Sequence, residues 1–169
     1  MKKLKLGVSS CLLGESVRYN GEHKRDSTVI DLLGQQFEAV PVCPEVELRM
    51  GVPREPVRLV ANDASSERMV GSESGKDWTQ AMVDFNSIKL EALRQQNLSG
   101  FIFKSRSPSC GPGNVPLHHE QEKSSTVGLF AHALMQYFPS LPVIDEEALQ
   151  DEIVRQDFVA RVIQYGEKV

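Results

Sequence analysis

The chain of 169 residues is poor in cysteine and in aromatic residues: three cysteines, one tryptophan, and 7% aromatics in all. Cys11, Cys43 and Cys110 are an odd number separated by long gaps, which argues against the disulfide framework of a small secreted domain. No C-x-x-C pair occurs, which argues against a zinc ribbon. No apolar run approaches the roughly 20 residues that span a bilayer. The lysine-bearing start is too interrupted to be a secretory leader. No membrane partner and a cytoplasmic location are therefore expected. A basic excess is also missing; the net charge of −4 and a pI near 5.6 weigh against nucleic acid as a partner. Repeats, low-complexity blocks and linkers are absent, so residues 1–169 read as one domain.

What is present is an alternation of short apolar runs with helical periodicity. Residues 5–9 predict a first strand, and Ser27 a cap for a helix carrying Val29, Ile30, Leu32 and Leu33 on one face. Residues 37–42 (F-E-A-V-P-V), 57–61 (V-R-L-V-A) and 100–103 (G-F-I-F) predict further strands. Residues 62–76, polar and rich in Ser, Gly and Asp, predict a surface loop. Asp77 predicts the cap of a long helix to about residue 97, with Trp78, Met82, Phe85, Ile88, Lys89 and Leu93 as its packing stripe. Residues 111–128 show little periodicity, and a helix over 129–138 ends at Pro139. Residues 141–144 predict a last strand, and Asp145 the cap of a helix over 146–165 carrying Leu149, Ile153, Val154, Phe158, Val162 and Ile163. Strands alternating with helices indicate βαβ units, hence an α/β three-layer sandwich with a mostly parallel, Rossmann-like sheet.

That architecture gives the cysteines a meaning. Each follows a predicted strand, and ligands of open parallel sheets bind outside the carboxyl ends of the strands. Cys43 precedes Pro44, and Cys110 precedes Gly111-Pro112-Gly113, residue types that turn the backbone closely around a bulky group. A zinc site of three thiolates with His118 or His119 is one reading. A 4Fe–4S cluster is the other: three cysteines for four irons leave one iron as an open Lewis acid, and soft iron favours sulfur as the incoming atom.

Four segments carry a resemblance. Ser10-Cys11-Leu12-Leu13-Gly14 with Val17-Arg18-Tyr19-Asn20-Gly21, Val42-Cys43-Pro44-Glu45, Pro53-Arg54, and Lys104-Ser105-Arg106-Ser107-Pro108-Ser109-Cys110-Gly111 resemble, in order, a bacterial family that includes the thiouracil desulfurases. The resemblance extends roughly over residues 6–163 and is to the family's single-domain form. It implies a 4Fe–4S cluster on Cys11, Cys43 and Cys110 whose fourth iron takes the sulfur of a small thiolated base such as 2-thiouracil, giving uracil and sulfide. Arg49 departs from the pattern, standing where a small or apolar residue, often glycine, is expected.

Desulfuration needs an activated water and a proton supply besides the soft site. Glu45, two residues after Cys43, is the candidate general base. Ser107 and Ser109 are candidate catalytic hydroxyls, although serine and proline favour turns in any case. Ser10, Arg18, Asn20, Lys24 and Arg54 are candidate substrate contacts, and Tyr19 a surface for stacking on a flat base. Two other classes stay open: a cluster-carrying sensor or sulfur carrier without turnover, and a metal-free enzyme with a cysteine nucleophile.

Overall fold

A computed structural model describes residues 2–61, 66–119 and 123–169. Its central sheet is built by β1 (Leu4–Ser9), β2 (Phe37–Val42), β5 (Leu98–Phe103) and β8 (Val143–Asp145), in the order β2-β1-β5-β8. All neighbours run parallel, Leu4 to Ser9 pairing with Phe37 to Val42, Val8 with Ile102, and Ile102 with Ile144. The chain leaves β1 for β2 on one side and returns to β5 on the other. Outside β1 there is accordingly a topological switch point, where such sheets open a crevice.

Side-chain alternation along β5, which is buried throughout, divides the core in two. Ile102 packs with Leu6 and Val8 against Val29 and Leu33 of α1 (Ser27–Gln36) and Phe158 and Val162 of α5 (Glu152–Gly166). Phe101 and Phe103 point the other way, toward α3 (Thr79–Gln96) and α4 (Leu129–Tyr137), where they join Met82, Leu90, Leu93, Phe130 and Leu134. Their rings stack at 4.2 Å and meet Phe130 edge-on at 6.0 and 6.3 Å. Gly7 of β1 makes this possible, because a Cβ there would lie 2.2 Å from the Phe101 ring. The expected three-layer α/β arrangement is thus present.

A second sheet was not foreseen. β3 (Val57–Ala61) pairs antiparallel with β4 (Glu67–Gly71) and parallel with β6 (Val115–His118), which pairs antiparallel with β7 (Lys123–Thr126). Leu59, Met69, Val115 and Leu117 extend the core around Phe101 and Phe103. Residues 67–71, which the sequence places in a loop, form a strand because β3 pairs with them along their length and Met69 and Val70 are buried; residues 62–65 of that expected loop lie outside the described residues. The aperiodic stretch after Cys110 contains β6 and β7.

At α1 and α5 the helix start differs from expectation because the residue whose carboxylate reaches free amides sets it. Asp26, not Ser27, caps α1 by accepting from Val29 N. Asp151, not Asp145, caps α5 by accepting from Ile153 N and Val154 N. Asp145 instead accepts from Ala148 N ahead of a 3-10 turn, so the last helix begins later than expected. Asp77 accepts from Thr79 N without being the cap residue of α3. Ile88 at 76% and Ile153 at 79% exposure are outside the core stripes to which periodicity assigned them. Among the described residues, no helix is long and apolar enough to cross a membrane.

Candidate active site

Three loops at the carboxyl edge of the central sheet build the site. After β1, a 3-10 turn over Ser10–Leu13 buries Cys11 and closes at Gly14, whose φ of 93° is left-handed. Lys24 N donates to Cys11 O at 2.9 Å and folds the Arg18–Tyr19 loop back over the turn. After β2, Cys43 is the N-cap of the short helix α2 (Pro44–Glu47), with Pro44 at the first helical position. Glu47 accepts from Cys43 N at 3.0 Å and is itself held by Lys89 of α3 at 2.5 Å, which fixes the helix that carries Glu45.

The third loop, after β5, is suspended from α4. Leu129 N donates to Pro108 O, Phe130 N and Ala131 N to Ser109 O, and Gly128 N to Gly111 O. The otherwise unpartnered amides of a helix start therefore hold the turn bearing Cys110. Ser107 Oγ tightens it from inside, accepting from Ser109 N at 3.3 Å and Cys110 N at 3.1 Å. Gly128 is indispensable here: a Cβ would lie 2.7 Å from the carbonyl of Ser109 and 2.8 Å from that of Ser107. Gly128→Ala is expected to destabilise by about 1–3 kcal/mol, as overpacking against backbone does. Urea unfolding with an unchanged slope measures this.

The loops enclose a cleft of about 380 Å³, within the range of roughly 300–1,000 Å³ typical of small-molecule sites. Cys11, Cys43 and Cys110 line it together, with Ser10, Arg18, Tyr19, Lys24, Glu45, Arg54 and Ser107. Arg54 Nε donates to Glu45 Oε1 at 3.2 Å, and Ser109 Oγ donates to Glu45 Oε2 at 3.0 Å, so both carboxylate oxygens are held. Ser109 is fully buried behind the cleft, does not line it, and reaches it only through Glu45. Asn20 is exposed, bonds Glu22, and does not line the cleft. Arg49 is exposed, takes a left-handed φ of 66° and lies off the cleft wall, so the position suits glycine for backbone reasons. His118 and His119 are exposed on and beside β6, away from the cleft.

With this geometry, similarity to known proteins becomes informative. The family model described as 2-thiouracil desulfurase matches residues 6–146. The chain belongs to that family. It is similar to a solved structure titled 4Fe-4S-dependent thiouracil desulfidase TudS, with 30% identity, a TM-score of 0.68, and coverage of 92% of this chain and 99% of that one. It is also 33% identical over 112 residues to the uncharacterized protein YbbK of Bacillus subtilis (strain 168), an alignment covering 64% of this chain and 74% of YbbK.

The cleft of this desulfurase-family protein is cationic although the chain is acidic. Arg18, Lys24, Arg54, Lys104 and Arg106 line it, against Glu45 as the acidic residue of the wall. Arg54, Lys104 and Arg106 are paired with Glu45, Glu146 and Glu147. Among the described residues Arg18 and Lys24 make no ion pair, and Arg18 stacks over Tyr19 at 5.6 Å. Sequence reasoning gave no role to Lys104, Ser105, Arg106 or Glu146. The available signal was Lys104 itself, a charge directly after a fully buried strand, which requires a partner.

Burial pushes all three thiols up. Cys11 rises to about 11, by burial first, with Lys104 opposing and Cys43 and Glu146 adding to the rise. Cys43 rises mainly through burial, and Cys110 lies well above its usual value for the same reason. Without a bound cation the thiols are protonated at neutral pH and therefore weak nucleophiles. For Cys11 in folded, metal-free protein, two pH units fewer ionised thiol means alkylation by iodoacetamide on the order of a hundredfold slower at pH 8 than for a free thiol. The rate should climb with pH until about 11, followed by mass spectrometry of the labelled peptide. The three thiols are soft donors. Among the described residues, no group of three or more His, Cys, Asp or Glu gathers as a single metal ion requires.

Proposed function

We propose that the protein is a 4Fe–4S-dependent desulfurase that converts a small thiolated nucleobase, such as 2-thiouracil, and water into uracil and sulfide. One observation carries this reading. Three thiols from three separate loops line one cationic cleft beside a carboxylate held at both oxygens.

The residues fit the group. Cys11, Cys43 and Cys110 supply three soft donors around a space larger than one ion. The surrounding cations offset the negative charge that three thiolates bring. Such a cluster supplies a soft Lewis acid with an open position for sulfur. Glu45 takes the proton of the water that attacks the thiocarbonyl carbon and returns it to the departing sulfur. Arg54 and Ser109 aim that carboxylate, so Ser109 acts as a positioning residue. Ser107 already accepts two amide bonds, which leaves its O–H to donate to the pyrimidine oxygen or to sulfur. Ser10 offers a second hydroxyl on the cleft wall. Tyr19, 39% exposed, stacks on the base, while Arg18 and Lys24 contact its anionic or carbonyl edge. The protonated state of the thiols disfavours a metal-free cysteine nucleophile.

The test is anaerobic reconstitution with iron and sulfide, followed by incubation with 2-thiouracil. Bound iron with equimolar uracil and sulfide is the expected result. Iron uptake without sulfide release would identify a carrier or sensor instead, and colourless protein that binds no iron would refute the cluster.

A further inference from the structure

The cleft wall contains a buried ion pair for which neither the family match nor the proposed chemistry has a use. Lys104 Nζ donates to Glu146 Oε1 at 2.6 Å, to Ser105 Oγ at 3.0 Å and to Ser105 O at 3.1 Å. Glu146 is engaged just as fully, accepting Ser105 N on Oε2 at 2.6 Å and Ser105 Oγ on Oε1 at 2.8 Å. The side chains are only 18% and 10% exposed. Removing two such charges from water costs several kcal/mol per ion before their attraction is counted, and apolar residues of similar volume often serve stability equally well. Stability is therefore a weak reason to keep the pair.

The position of the pair suggests a better reason. Lys104 lines the cleft, and its own backbone N–H donates to Ser9 Oγ at 2.9 Å, at the end of the strand that leads into Cys11. All three ammonium hydrogens are spent on Ser105 and Glu146, so Lys104 has no proton to give a substrate. What remains is its charge. That charge sits on the wall of the cleft that Cys11 also lines, with its partner Glu146 behind it and off the lining. Arg18 also lines the cleft, but it lies on the outer loop over Tyr19 and is not clamped as Lys104 is.

We propose that Lys104, clamped by Glu146 and Ser105, sets the charge of the centre: its fixed positive field holds the anionic thiolate-bound group on the Cys11 side and the sulfide anion released there. This rests on the cluster reading. Lys104 is thus a positioning and field-setting residue that transfers no proton.

The test uses reconstituted wild type, Lys104→Met, Lys104→Arg and Glu146→Gln. Each is titrated with sodium hydrosulfide while the charge-transfer absorption is followed, and each cluster's midpoint potential is measured. Lys104→Met should weaken hydrosulfide binding on the order of tenfold and make the cluster harder to reduce. Glu146→Gln should tighten hydrosulfide binding and make the cluster easier to reduce, and Lys104→Arg should stay near wild type. A purely structural clamp predicts that Met and Gln shift both readouts in the same direction; that result, or no shift in either, overturns the proposal. If Lys104→Met fails to fold, the Glu146→Gln titration decides alone, since tighter binding supports the field and weaker binding refutes it. Wild type that takes up no iron refutes the cluster reading and this inference together. Same-direction shifts in loaded protein refute this inference only.

Discussion

Reconstituted Glu45→Gln protein will keep its iron and lose turnover by a factor of about 10²–10⁴, the usual contribution of a positioned general base. The variant is informative because it changes almost nothing else. Glutamine is isosteric, its carbonyl oxygen can still accept from Arg54 Nε, and its amide can donate to Ser109 Oγ, which accepts as readily as it donates. The side chain therefore keeps its place while losing the ability to take a proton. Iron content and absorption spectrum serve as controls, and initial rates of uracil formation are the readout. Turnover within a few-fold of wild type would remove Glu45 from the mechanism.

Cys110→Ala should have the opposite profile, with iron content falling toward background and activity lost with it. The metal-free fold should barely respond. Cys110 is buried in the core between the central sheet and α4, but the change deletes a single sulfur, a cost of about 1 kcal/mol. Thermal unfolding of the two apo proteins, beside iron analysis after reconstitution, separates ligand loss from misfolding. Activity surviving at the wild-type level would contradict a three-thiol site.

Both variants concern residues whose neighbourhood was readable in the sequence. Cys11 and Cys43 follow strands with plain apolar patterns, and Cys110 follows the wholly apolar run that became β5. The parallel sheet was legible because each of these runs stands alone as a strand. The second sheet was not. Its β4 opens on two charges, Glu67 and Arg68, and its Met69 and Val70 are buried through pairing with β3 and packing that come from outside the segment. In β6, Pro116 obscured a strand whose pairing with β3 begins at Leu117, just past the proline.

Within the site, local sequence disclosed the thiols and Glu45 but not what holds them. Ser109 lies one residue from Cys110, yet its partner Glu45 comes from another loop, which moved the serine from the cleft to the shell behind it. Lys104 and Glu146 are far apart in sequence and meet because β5 and β8 are adjacent strands that end together. Asn20 shows the converse: proximity in sequence to Arg18 and Tyr19 did not bring it into the cleft, because a local bond to Glu22 turned it outward.

The suspension of the Cys110 turn from the start of α4 also has a meaning in time. During synthesis Cys11 and Cys43 emerge early, but the turn bearing Cys110 has no anchor until Gly128, Leu129, Phe130 and Ala131 have followed it and coiled. Until then two thiols face an unfinished wall. If the proposed cluster is bound, its loading waits on the folding of a distant helix, because a chain halted before α4 lacks the anchor of its third thiol.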